Sequence, residues 1–234
     1  MYKQLIKTNQ LQTTLFIGIL SVFCFGLSLL RMELSGTKHF FFLNWNLFLA
    51  FVPWLLTVIL SMSPNLQKSR LAVFGMLGVW LLFFPNASYI LTDLFHLSHH
   101  SSMPIWFDLV LILSYAWTGL LFGFMSLWNL EELMEQFLSK RTIAFLSVIL
   151  LFISSFGIYI GRYLRWNSWD IIHQPGRLMG DIGDRIINPF DHTRTWGVTI
   201  FLGLFLTMLY FTFRFLRKGR GQEIINMKSS HDLQ

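Results

Sequence analysis

Apolar residues fall in six long runs, at about 11–30, 40–61, 71–91, 105–128, 142–161 and 196–213. Each is close to the ~20 residues that a helix needs to cross ~30 Å of hydrocarbon. Within each run the apolar positions are continuous. A transmembrane β-barrel would instead show alternating segments of ~10 residues. The pattern predicts an all-α protein, a polytopic transmembrane helix bundle of about six spans forming a single integral membrane domain over 1–234. The first run follows Lys3 and Lys7 as a signal peptide would, but Leu29-Leu30-Arg31-Met32-Glu33 lacks a small-x-small cleavage site, so it is expected to stay as the first helix. The 34-residue connection 162–195 is too long for bare loop. In it Met179, Ile182 and Ile186 recur at i, i+3 and i+7, and Arg177, Asp181 and Arg185 recur every four, which predicts an outer interfacial helix at about 177–187.

Composition sharpens the membrane reading. The chain is 54% hydrophobic and 13% charged, with a mean hydropathy of +0.54, whereas globular proteins carry about 25% charged residues. A cytosolic enzyme is excluded, and Cys24, the single cysteine, excludes a disulfide scaffold. With six spans and both termini inside, eleven of the 18 Lys and Arg fall on inner segments, which predicts a cell-membrane protein with cytoplasmic termini. Membrane flanks account for the basic pI of 9.7, so the expected partner is the lipid bilayer and no nucleic acid. There is no Gly-rich phosphate loop and no Walker lysine.

Packing signals come next. Pro85 removes a backbone donor and should kink the third span, with Asn86 available for freed carbonyls. Gly119 with Gly123, and Gly157 with Gly161, make small faces four residues apart for contact within the bundle. Trp45, Trp106, Trp128, Trp166, Trp169 and Trp196 sit near span ends as interfacial anchors.

Sorting polar residues by side reveals a cluster. Asn44-Trp45-Asn46, the stretch Asn86 to His96, Trp106-Phe107-Asp108 and the stretch Arg162 to Asp170 all collect on the outer face. Facing ionisable groups at a membrane boundary suggest a site. The expected pairing sets Asp93, Asp108 and Asp170 against Arg162 and Arg165. The expected catalytic residues are Asp93, His96, Asp108 and Asp170, with Asn86, Tyr89, Arg162, Arg165, Trp166 and Asn167 binding substrate. Each also has a structural reading: Asp108 capping a helix N-terminus, Arg162 and Arg165 at a helix C-terminus, and Arg162–Trp166 and Arg165–Trp169 stacked at i,i+4. Glu131, Glu132 and Glu135 read as a solvated inner loop.

Asp93, His96, His99 and His100 share a face if the third helix continues through 100. With Asp108, Asp170, His173 and His192 they could surround a divalent metal, and no other cofactor is indicated. The spacing matches no His-Glu-x-x-His pair, and the assignment stays open.

Pro85-Asn-Ala-Ser-Tyr-Ile-Leu-Thr-Asp-Leu-Phe-His96, Trp106-Phe-Asp108 and Gly161-Arg-Tyr-Leu-Arg-Trp-Asn-Ser-Trp-Asp170, with Asn44-Trp-Asn46 upstream, resemble the signature segments of a bacterial multi-pass membrane family, domain of unknown function 1361. The resemblance covers about 40 to 213, with Ser88 where the family's segment has proline. It implies a helical membrane protein of no established activity. Asn86, Tyr89, Thr92, Asp93, His96, Asp108, Arg162, Arg165, Trp166, Asn167 and Asp170 match its motif positions, and His99 and His100 lie outside them. Two function classes stand level: an enzyme acting on a lipid-linked or phosphorylated substrate, or an accessory subunit held together by its charges. A transporter ranks behind them, because spans one, five and six offer few polar residues to line a path.

Overall fold

The structure is a computed structural model that describes residues 2–97 and 103–231, with side chains described for 11–97 and 103–217. The described residues form nine α-helices and no strand: α1 (Tyr2–Ser35), α2 (Phe42–Met62), α3 (Pro64–Lys68), α4 (Arg70–Tyr89), α5 (Ile105–Met134), α6 (Lys140–Tyr163), α7 (Asp170–His173), α8 (Pro175–Ile187) and α9 (Thr193–His231). A 3₁₀ turn, Ile90–His96, continues α4. Six of these segments are long and apolar enough to cross a membrane. The chain is therefore a multi-pass, all-α membrane protein.

Burial follows from which helix has neighbours on every side. α5 is central: α1, α2, α4 and α6 all pack on it, while α9 packs mainly on α6. The C-terminal ends of α1 and α6 and the N-terminal ends of α2 and α5 meet at one end of the bundle, beside the 3₁₀ turn. This distal end is the one opposite the start of α1 and the end of α9.

The predicted glycine faces grip α4 around Pro85 from two sides. On α5, a Cβ at Gly119 would lie 2.7 Å from the Ala87 carbonyl oxygen, and one at Gly123 would lie 2.8 Å from the Ala87 methyl. On α6, a Cβ at Gly157 would lie 2.8 Å from the Pro85 ring, and one at Gly161 would lie 3.2 Å from Tyr89. Larger residues there would push the helices apart, so glycine sets the spacing. α4 is thus held where Pro85 has weakened its own hydrogen bonding. Asn86 Nδ2 donates to the Phe83 carbonyl at 3.0 Å.

Two expectations change. α4 does not run through 100; it tightens into the 3₁₀ turn and ends at an extended Leu97, so the shared helical face for a metal is lost, and His99 and His100 lie outside the described residues. The fourth span continues to Met134, which places Glu131 inside the bundle instead of in a loop. Glu131 is 4% exposed; it accepts from Ser147 Oγ at 2.6 Å and lies 3.2 Å from Arg214 Nε. The expected helix at about 177–187 is present as α8, with Leu178 and Arg185 buried and Met179 and Ile186 exposed; Arg185 bonds the Asp181 carbonyl and its own carbonyl accepts from Trp196.

Candidate functional site

The 3₁₀ turn explains the local arrangement, since residues three apart eclipse one another in it. Ile90 and Asp93 share one edge and are both fully buried. His96 follows on that edge, its Nε2 4.0 Å from Asp93 Oδ1, but with its side chain 46% exposed at the rim. The turn thus presents a buried carboxylate below an accessible imidazole.

Arg162, in the last turn of α6, reaches into this edge. Its Nη2 forms a short ion pair with Asp93 Oδ1, its Nε donates to Thr92 Oγ1 at 2.8 Å, and its Nη1 lies 3.0 Å from His96 Nε2. A guanidinium has no acceptor, so His96 Nε2 must be the unprotonated acceptor and the ring proton must sit on Nδ1. Tyr89 supplies an aromatic face 4.2 Å from the guanidinium carbon. Asn46, from α2, donates to Asp93 Oδ2 at 2.9 Å. Both carboxylate oxygens are thereby engaged, and a buried charge with these partners is stable where an unpaired one would not be.

Past Arg162 the chain leaves α6 through Arg165, which has a φ of +61°. Glycine usually fills such a left-handed position after a helix. The turn that follows dips back into the bundle: Ser168 Oγ donates to the Leu82 carbonyl at 3.1 Å and accepts from Asn86 Nδ2 at 3.0 Å. Trp169 meets Trp45 edge-on at 6.4 Å, and Trp166 Nε1 donates to Asp181 on α8 at 2.8 Å. These contacts roof a cavity of 760 Å³, within the range of small-molecule sites. Its upper part is lined by Asn86, Tyr89, His96, Arg162, Arg165 and Asn167, its lower part by apolar α4 and α6 residues such as Leu82 and Phe156.

The structure therefore brings together Asp93, His96, Arg162, Asn86, Tyr89, Arg165, Trp166 and Asn167. The other two carboxylates do not join this cluster, and none of the three lines the cavity. Asp108 pairs with Arg31 of α1, at 2.7 Å from Nε, instead of with Arg162 or Arg165. Asp170 accepts from the backbone and side-chain nitrogens of Asn167 at 2.7 and 3.3 Å, which closes the local turn. The expected i,i+4 stacks give way too: Arg162 lies on Tyr89, and Trp166 receives Arg177 at 5.7 Å. Among the described residues no group of three His, Cys, Asp or Glu is arranged to hold a metal. Sequence reasoning missed Arg31, although Ile17, Cys24, Ser28 and Arg31 are spaced seven, four and three apart and are all buried; that spacing on one helical face was the available signal.

No curated protein and no solved structure matches the chain. A family model described as a protein of unknown function, DUF1361, matches residues 45–209, from the residue before Asn46 to well past the roof of the cavity. The match covers more than half of the sequence, and the chain belongs to the DUF1361 family.

Proposed function

We propose that the distal end faces the outside of a cell membrane and that the cavity binds a lipid-linked or phosphorylated anionic substrate. One observation carries this reading: a single cavity joins a fixed guanidinium at its rim to an apolar floor, which is the polarity of an amphiphile with an anionic head. The orientation is supported by the excess of Lys and Arg on the opposite segments.

The residues divide the work by exposure. Asp93 is buried and doubly bonded, so it positions Arg162 and does not meet substrate. His96 is the replaceable partner: a phosphate oxygen would take its place at Arg162 Nη1 and form a stronger, charge-assisted hydrogen bond. The freed imidazole titrates nearest neutrality of all side chains and is then the group for proton transfer at the headgroup in an enzyme. Arg165 lines the same rim with no ion pair or hydrogen bond among the described residues and adds an available cation. The accessory-subunit reading is favoured by one feature, the saturation of Arg162 by protein groups.

Native mass spectrometry of the detergent-purified protein separates the two readings. The expected result is an anionic, lipid-sized adduct on the wild type that is lost in Arg165→Ala while thermal stability stays unchanged. A clean apo spectrum of the wild type, with Asp93→Ala and Arg162→Ala both unfolding early, would overturn the proposal in favour of an accessory subunit.

A further inference from the structure

The lower end of the cavity opens sideways. Gly78, Leu81 and Ile153 all line it, yet Leu81 and Ile153 are 37% and 43% exposed and Gly78 is exposed as well. On spans immersed in hydrocarbon, exposed residues face lipid. Gly78 lies eleven residues below Tyr89 on α4, or about 16 Å at 1.5 Å per residue, and Ile153 lies nine below Arg162 on α6, about 14 Å. That is about half of a ~30 Å hydrocarbon layer. With Tyr89 and Arg162 at the headgroup level, as the proposed function has it, the lower opening falls near the middle of the bilayer.

We propose that this opening between α4 and α6 is a lateral portal, through which a single-chain or prenyl-type phosphate amphiphile enters from the leaflet and along which its chain lies. The inference rests on the anionic-substrate reading above and adds the ligand's tail and its route. Gly78 is the residue that keeps the portal open. A Cβ there would meet nothing within 4 Å, whereas one at Gly157, on the facing helix, would press on Pro85. Gly157 is small so that the helices can touch; Gly78 is small where they do not touch, and its missing side chain leaves room for a ligand chain.

The test uses butyl, octyl and dodecyl phosphate with the full chain in a non-ionic detergent, following affinity by ligand-induced thermal shift. Gly78→Phe places a bulky side chain in the portal from a backbone position where a Cβ meets no protein atom within 4 Å. Gly75→Phe is the control, because Gly75 is equally open but does not line the cavity. Wild type and Gly75→Phe are expected to bind dodecyl phosphate more tightly than butyl phosphate. Gly78→Phe should weaken dodecyl phosphate about tenfold and leave butyl phosphate nearly unchanged. A chain-length preference that Gly78→Phe does not alter would overturn the portal while keeping the anionic amphiphile. Equal binding of all three phosphates, lost in Arg165→Ala, would overturn it in favour of a soluble anion. Failure of every phosphate to bind the wild type would overturn both the portal and the proposed function.

Discussion

Two arginine–carboxylate pairs at the distal end, Arg31–Asp108 and Arg162–Asp93, are chemically alike and physically different. In Arg31–Asp108 both side chains are 3% exposed. Arg31 is held further by Ser35, Thr37 and the Phe40 ring, and neither partner lines the cavity. In Arg162–Asp93 the carboxylate is equally buried, but the arginine is 12% exposed and ends at a half-exposed, neutral imidazole above 760 Å³ of space. Asn44 and Asn46 show the same division. Two residues apart on α2 they point about 200° apart, so Asn44 joins Ser28 and Tyr115 on the α1–α5 side and Asn46 joins Asp93. The comparison teaches that charge type does not identify a site. What distinguishes the pairs is whether one contact of the arginine can be exchanged for a ligand.

The largest effect should come from breaking the sealed pair. Asp108→Ala removes the buried carboxylate that Arg31 bonds through Nε and Nη2 and is expected to destabilise the fold by about 3–5 kcal/mol. Arg31→Met combined with Asp108→Leu should restore most of that, because an apolar pair of similar volume avoids the desolvation of two charges. Chemical or thermal unfolding in detergent would read both variants, and adduct retention should be intact in the double variant. If the double variant folds but loses the adduct, the two pairs form one site and the contrast fails.

A smaller effect should come from disturbing the grip on α4. Gly119→Ala sets a methyl against the Ala87 carbonyl at 2.7 Å and the Ile90 side chain at 2.9 Å, and overpacking of this kind costs about 1–3 kcal/mol. Ile90 begins the 3₁₀ turn that carries Asp93, so ligand binding should weaken along with stability. Gly18→Ala on α1, where a Cβ meets nothing within 4 Å, should leave binding unchanged and stability equal or slightly higher, as alanine is the better helix former. Equal behaviour of the two variants would show that α4 is not the element that positions the site.

These contrasts also mark what could be read from the sequence. Six spans, the glycine faces and most of the rim were legible, because hydrophobic run length and small-residue spacing follow directly from bilayer thickness and helix geometry. The polar partners were less so. Arg31 stands beside the end of an apolar run and reads as a flank, and Glu131 stands beside Glu132 and reads as solvated loop, yet Leu120, Phe124, Leu127 and Glu131 recur at four, three and four along one buried face of α5. Charge assignments based on membrane side could not tell which helical face each residue occupies. The tightening of α4 into a 3₁₀ turn was also hidden, since nothing in Ile90–His96 forbids a further α-helical turn; the packing of Ile90 and Asp93 into the core is what the structure adds.

The smallest predicted change is in some ways the most informative, since it should move stability and binding in opposite directions. Arg165 pays a conformational penalty at φ +61° that for a non-glycine residue is about 1–2 kcal/mol. It makes no hydrogen bond or ion pair among the described residues that would offset this. Arg165→Gly removes the penalty along with the side chain and should raise stability by about 1 kcal/mol, less than the full strain because glycine is also freer in the unfolded chain. Binding of dodecyl phosphate should fall in the same variant, and Arg165→Ala should lose binding with no gain in stability. A residue kept in a strained conformation for its contact with a ligand predicts this divergence. If Arg165→Gly gains stability and binds as well as the wild type, then Arg162 alone holds the anion, and the difference between the two arginine pairs rests entirely on the exchange of His96.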